Sequence, residues 1–274
     1  MAVVTFSREA HSGTQDLARQ LAERLGYRYV SRDELTRAVT TRSGVRRDPQ
    51  TVESVGRALS LWEQLGEQLT GDREAYIAAL KAVITELALA DNVVIVGHGA
   101  GQFLNDMRSV VRVFVVAPMQ DRIDRLRAEG VENASEARRL IEQQDRESAE
   151  YLRYLLGIDW LDPHQWDIVI NTGRADPEAT LEMLAQYTRR LVRDAAEQAD
   201  IARKQLASRI EQTLLADSDL GVDKLAVRFE AATLILSGEA LSGDDWARAE
   251  SIARGLAPEV VIENRIVLRP PTSP

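Results

Sequence analysis

The chain has 274 residues, 45% of them hydrophobic and 28% charged, a composition that supports a sizeable core divided over one or two domains. Its net charge of −9 is shared by both ends, with 9 basic against 12 acidic residues in 198–274, so neither part has the basic excess that a nucleic-acid backbone or an anionic membrane requires. Cysteine is absent, which excludes disulfides and cysteine-held metals, and no apolar run reaches the ~20 residues of a membrane span; MAVVTFSREAHSG lacks a secretory pattern, so the expected location is the cytoplasm.

Ala2–Phe6 is a short apolar run that reads as a buried parallel strand, followed by a polar loop over Ser7–Gly13. Thr14–Leu25 places Leu17, Ala18, Leu21, Ala22 and Leu25 on one helical face, and Gly26 closes the helix. Residues 33–92 hold few β-branched runs and read as a mostly helical insertion between the second and third strands. Val93–Val96 then ends at Gly97-His98-Gly99, Val110–Ala117 ends at Pro118 and a charged helix, and Asp167–Asn171 leads into a helix after Pro177. Strand runs alternating with amphipathic helices predict an α/β fold, a parallel sheet with helices on both faces, with ligands at the edge where the strands end.

Between Pro177 and Gly221 there is neither glycine nor proline, so the sequence allows one long helix or two that meet near Ala195–Ala199. The tail changes character. Lys224–Phe229 and Thr233–Ser237 read as strands about a turn at Glu230–Ala232, Asp244–Leu256 as a helix capped by Ser242 or Asp244, and Val260–Leu268 as a last strand. This is a small α+β module, and the predicted division is 1–194 and 195–274.

The loop at Ser7–Gln15 has the outline of a phosphate cradle, because Ser12-Gly13-Thr14 gives a tight turn at a helix N-terminus. The usual pattern places Lys before Ser or Thr, but here those places hold Thr14 and Gln15. By itself the segment is also compatible with an ordinary strand-to-helix turn. Four ordered blocks extend the pattern: TFSREAHSGTQDLARQLAERLGYRYVSRDEL, VGHGAGQFL, RVFVVAPMQDRIDRLR, and DRESAEYLRYLLGIDWLDPHQWDIVINT. Over about residues 2–190 these resemble the cytidylate kinase-like family.

That resemblance implies a P-loop nucleoside-monophosphate kinase fold with a helical lid, using ATP and Mg²⁺ and a CMP-type acceptor. Carried over by position, Ser7, Arg8, His11, Ser12, Gly13, Thr14 and Gln15 would hold the donor phosphates. Gly97, His98 and Gly99 would approach the acceptor, with Arg42, Arg46 and Arg47 as further candidates for its phosphate. The helices from Gln120 to Arg153 would form the lid, with Arg146 and Arg153 as catalytic cations. Those two lie seven residues apart on one helix face, as does Arg139; the alternative is a solvated face paired with Glu142, Glu147 and Glu150. Asp145 would orient an arginine or the metal, or pair with Arg138 or Arg139. Two departures bear on activity: the loop lysine is missing, and His98, neutral at pH 7 if unperturbed, stands where related kinases carry Arg. His11 reads as an exposed loop residue, and Trp160 and Trp166 as packing at the lid base and strand edge.

Residues from about Ala199 to Leu268 resemble a BON domain, on LASRIEQTLLADSDL, LAVRFEAATLILSGEALSGDDWARAESIA and VVIENRIVL. The resemblance implies a module that binds phospholipid surfaces or protein partners; its net charge of −3 disfavours electrostatic lipid binding, which leaves self-association, a protein partner or ligand sensing as the expected role. The functional expectation is phosphoryl transfer from ATP to a nucleoside monophosphate or similar small phosphorylated acceptor. The alternatives are a nucleotide-binding sensor that has lost transfer chemistry, and an interaction protein working through the C-terminal module.

Overall fold

The computed structural model describes residues 2–43, 70–191 and 194–269; Arg46 and Arg47 lie outside them. The described residues form two compact units, one from 2–36, 90–191 and 194–197, the other from 37–43, 70–89 and 198–269.

The first unit is built on five parallel strands: β1 (Val3–Arg8), β2 (Arg28–Val30), β3 (Val93–Val96), β4 (Val110–Val116) and β5 (Ile168–Asn171). Their order is β2-β3-β1-β4-β5, so β1 lies at the centre with β3 and β4 as neighbours. Helix α1 (Thr14–Leu25) has the predicted bounds, and Gly26 ends it at φ 68°, a conformation that costs glycine little. β1 runs two residues past the predicted end, because the long β4 offers ladder partners for them, Ser7 opposite Phe114 and Arg8 opposite Val115. Ser7 and Arg8 are therefore strand residues.

One face of the sheet buries Val4, Phe6, Val94, Val96, Val111, Val113 and Val115 against Leu17 and Leu21 of α1 and Leu181 and Leu184 of a later helix. Each such side chain contributes about 1.5–3 kcal/mol when fully buried. The other face carries Phe114, which stacks on Trp166 with centroids 5.1 Å apart and meets Trp160 edge-on, while the Trp166 indole N–H donates to the Trp160 carbonyl at 2.9 Å. The tryptophans thus pack as predicted.

The remaining helices are α2 (Arg32–Ser43), α3 (Thr70–Ala90), α4 (Met119–Ala128), α5 (Ala134–Leu156), α6 (Pro177–Arg190), α7 (Ala195–Leu215) and α8 (Gly243–Leu256). α6 stops at Leu191, whose ψ of 122° is extended, so two helices and not one occupy the stretch without glycine or proline. Among the described residues no helix is long and apolar enough to cross a membrane.

The second unit contains a mixed sheet of β6 (Val222–Glu230), β7 (Thr233–Ala240) and β8 (Val261–Leu268), in that order. β6 and β7 are antiparallel across a two-residue turn, whereas β8 returns parallel to β7 after α8. Ser242 caps α8 by accepting the Asp245 N–H. Leu225, Val227, Leu234, Leu236, Ile262 and Ile266 pack on Ile210 and Leu214 of α7 and on Ala249 and Ala253 of α8. On the opposite face Ile235 has Arg228 and Glu263 as cross-strand partners, and Arg265 links Glu230 to Glu263. That face is finished with charge.

Candidate active site

The strands of the first unit end at one edge, and two loops meet there beside β1. The first, Glu9–Gly13, leads into α1. Its turn needs a positive φ at His11 (54°) and Gly13 (80°). Three successive carbonyls in it are held by side chains from elsewhere. Arg122 Nε of α4 donates to the Ala10 carbonyl at 2.8 Å, Arg125 Nη1 to that of His11 at 3.1 Å, and Thr172 Oγ1, just past β5, to that of Ser12 at 2.6 Å. Asp145 of α5 accepts the Ala10 N–H at 2.8 Å and the Arg122 guanidinium. Glu9 faces the same guanidinium at 3.4 Å and accepts the Ala117 N–H at 3.0 Å. Arg122 is only 3% exposed, so it is a buried cation between two carboxylates.

With those carbonyls engaged, the loop is left with donors. The backbone N–H groups of Gly13, Thr14, Gln15 and Asp16 have no partner among the described residues, and the first return bond of α1 is Leu17 N–H to the Gly13 carbonyl. Free N–H groups at the positive end of a helix make an anion site. The Ser12 and Thr14 hydroxyls are buried 2.8 Å apart. A Cβ on Gly13 would come within 3.4 Å of the Arg125 guanidinium, which places that cation against the turn. Gln15 is exposed. His11 is less exposed than predicted, its side chain turned to Glu129 at 3.3 Å.

The second loop follows β3. Gly97, His98 and Gly99 have φ of 95°, 55° and 65°, and a Cβ on Gly99 would lie 2.8 Å from Leu152 and Leu156 of α5. His98 is buried between Thr36 Oγ1, 2.8 Å from Nε2, and the Tyr151 hydroxyl, 2.8 Å from Nδ1. The Thr36 hydroxyl proton goes to the Arg32 carbonyl at 2.8 Å, so Nε2 carries the imidazole proton and Nδ1 accepts from Tyr151. Burial and the nearby Arg32 and Arg8 push the His98 pKa down to about 3. The side chain is neutral as predicted, but through its surroundings and not through an ordinary pKa.

Helix α5 serves both loops, Asp145 on the first and Tyr151 on the second. Asp145 pairs with Arg122, not with Arg138 or Arg139, which meet Glu142 and Glu136 instead. The Arg146 and Arg153 side chains are exposed and make no hydrogen bond or ion pair among the described residues, so the alternative of a face paired with glutamates does not hold for these two. Arg42 belongs to the second unit, where it meets Glu86 at 2.6 Å. Sequence reasoning passed over Glu9, Arg122, Arg125, Thr172, Arg32 and Tyr151. The available signal was Arg122 and Arg125 at i and i+3 in the first turns of a helix directly after a strand, positions that face the loop beside them.

Residues 3–174 match the cytidylate kinase-like family. The chain belongs to that family. It is 31% identical over 187 residues to the cytidylate kinase of Ignicoccus hospitalis, covering 67% of this chain and 97% of that protein. It is 29% identical over 191 residues to the cytidylate kinase of Methanothrix thermoacetophila, covering 69% and 99%. The crystal structure of an uncharacterized protein from Eubacterium ventriosum shares the fold, with a TM-score of 0.51 at 19% identity over 70% of this chain and all of that one. The family match ends at 174, ahead of α6 and the second sheet.

Proposed function

We propose that this cytidylate kinase-like protein transfers the γ-phosphoryl group of ATP to the phosphate of a nucleoside monophosphate such as CMP. An acceptor phosphate oxygen attacks the γ-phosphorus, its bond to the bridging oxygen breaks, and ADP and a nucleoside diphosphate leave. The carrying observation is the Glu9–Gly13 loop, with its carbonyls held by Arg122, Arg125 and Thr172 and the N–H groups of Gly13–Asp16 left for an anion. Ser7, Ser12, Gly13, Thr14 and Gln15 then line the donor side. Arg125, against the turn at Gly13, supplies the charge that the missing lysine would. Gly97, His98 and Gly99 flank the acceptor. Magnesium supplies neutralisation of the phosphates. The paired Ser12 and Thr14 hydroxyls would hold such an ion beside the phosphates.

Arg146 and Arg153, unpaired on one helix, are the lid cations of this reading. Arg153→Ala is expected to lower kcat by roughly 10²-fold or more while ATP binds as before, because a lid cation acts on charge formed in the transition state. An unchanged kcat removes Arg153 from the site. A coupled assay with ATP, Mg²⁺ and a panel of nucleoside monophosphates tests the whole. ATP binding by calorimetry without ADP formation from any acceptor would support the sensor reading, which the absent lysine and the neutral His98 favour.

For residues 195–274 we propose a BON-like binding module, following residues 1–194 as the kinase-like part, on the order helix, strand, strand, helix, strand. Leu241, Val261, Val267 and Leu268 stand exposed on it, which supports self-association. Sedimentation of the full chain and of Val267→Glu tests this, with one monomeric mass for both as the contrary result.

A further inference from the structure

Arg8 and Arg32 of the first unit both lack a carboxylate partner among the described residues. Arg8 closes β1 and Arg32 opens α2. Neither guanidinium donates a hydrogen bond or forms an ion pair among the described residues. They act on common ground: Arg32 repels the Arg8 charge, both repel a proton on His98, and Tyr29 and Asp33 offset the Arg8 charge only in part. Burial and this crowding lower the Arg8 pKa to about 10. The Arg32 stem lies along the second loop, since a Cβ on Gly97 would meet its Cγ at 3.2 Å. His98 is not available as a ligand there, with one ring nitrogen on Thr36 and the other on Tyr151.

Two guanidiniums crowded about a buried imidazole, with no bonded counter-ion, are expensive unless an anion joins them. Arginine suits a phosphate because its planar fork gives parallel charge-assisted bonds. We propose that Arg8 and Arg32 form a clamp for a phosphate monoester dianion on the β3 side of β1, opposite the donor loop on the β4 side. Arg8 thereby moves from the donor phosphates, where its place in the loop had put it, to the acceptor. His98 becomes the neutral wedge that keeps the two guanidiniums in place. The clamp rests on the kinase reading only in taking this phosphate to be that of the acceptor.

The test is calorimetry of the full chain and of Arg8→Met and Arg32→Met with CMP and, separately, with ATP, alongside thermal unfolding without ligand. Each variant is expected to bind CMP roughly tenfold or more weakly while its ATP affinity changes less than about twofold. Removing one of two repelling charges is expected to leave the ligand-free Tm unchanged or raised, which separates lost binding from lost folding. Arg32→Lys, which keeps the charge but loses the fork, is expected to fall between. Variants that hold CMP like the parent, or that lose ATP and CMP alike, overturn the clamp, as does a parent chain that binds no monophosphate. Normal turnover with unchanged CMP affinity in the variants sinks the clamp alone. Absent turnover with CMP binding lost in the variants sinks the kinase reading and leaves the clamp.

Discussion

The two loops beside β1 both gather arginine, but they handle its charge in opposite ways. At Glu9–Gly13 the buried Arg122 is matched by Glu9 and Asp145 and is also bonded to the Ala10 carbonyl. At Gly97–Gly99 the nearby Arg8 and Arg32 have no bonded carboxylate, and a histidine beside them is kept from protonating. A cation with its own counter-ions holds a shape, whereas a cation without them waits for a ligand. The first loop therefore owes its free N–H groups to internal ion pairing, and the second carries charge that folding left unmatched, the basis of the proposed clamp.

The largest expected effect breaks the matched side. Arg122→Ala leaves Glu9 and Asp145 facing each other across a buried gap and frees the Ala10 carbonyl, so stability should drop by about 3–5 kcal/mol. Urea unfolding measures this directly. A loss below about 1 kcal/mol would mean that the ion pairs do not organise the loop. Arg122→Met combined with Asp145→Asn should recover part of the loss, because it removes charge from both partners.

Next in size is an effect of pH on the unmatched side. The His98 pKa is about 3 in the folded chain against an ordinary 6.5, so the unfolded chain binds more protons between those values. The contribution to stability is complete above pH 6.5 and is lost as pH falls towards 3, at up to about 1.4 kcal/mol per pH unit. His98→Gln, which does not titrate, should show a shallower fall in unfolding free energy between pH 6.5 and 4. Parallel curves for the two proteins would show that His98 protonates normally in place.

These particulars explain what the sequence made legible. Strands and α1 were readable because β-branched runs and a 3.6-residue period are local signals, and α1 and β3 have the bounds that their apolar residues predict. The Glu9–Gly13 loop was readable as a tight turn before a helix, but not in what holds it. Arg122 lies 112 residues beyond Ala10 and Asp145 lies 135, so only the folded sheet brings them together. His98 was legible as a neutral residue, but its cause was not, because the partners come from α2 and α5. Nor did chain order reveal that α3 belongs to the same compact unit as the C-terminal sheet, where Lys81 meets the buried Glu211 at 3.5 Å.

The smallest expected effect separates the two loops most cleanly. Thr172 holds the Ser12 carbonyl by one hydrogen bond, and Arg125 still holds the neighbouring His11 carbonyl when that bond is removed. Thr172→Val should therefore cost only about 1 kcal/mol of stability. It loosens the turn whose N–H groups are left for an anion, and it touches neither Arg8 nor Arg32. The KM for ATP should rise several-fold, by about the tenfold that 1.4 kcal/mol represents at most, while the KM for CMP stays within about twofold of the parent. Equal rises for both substrates would show that the two loops move as one body, and that their different treatment of charge does not divide the site into independent halves.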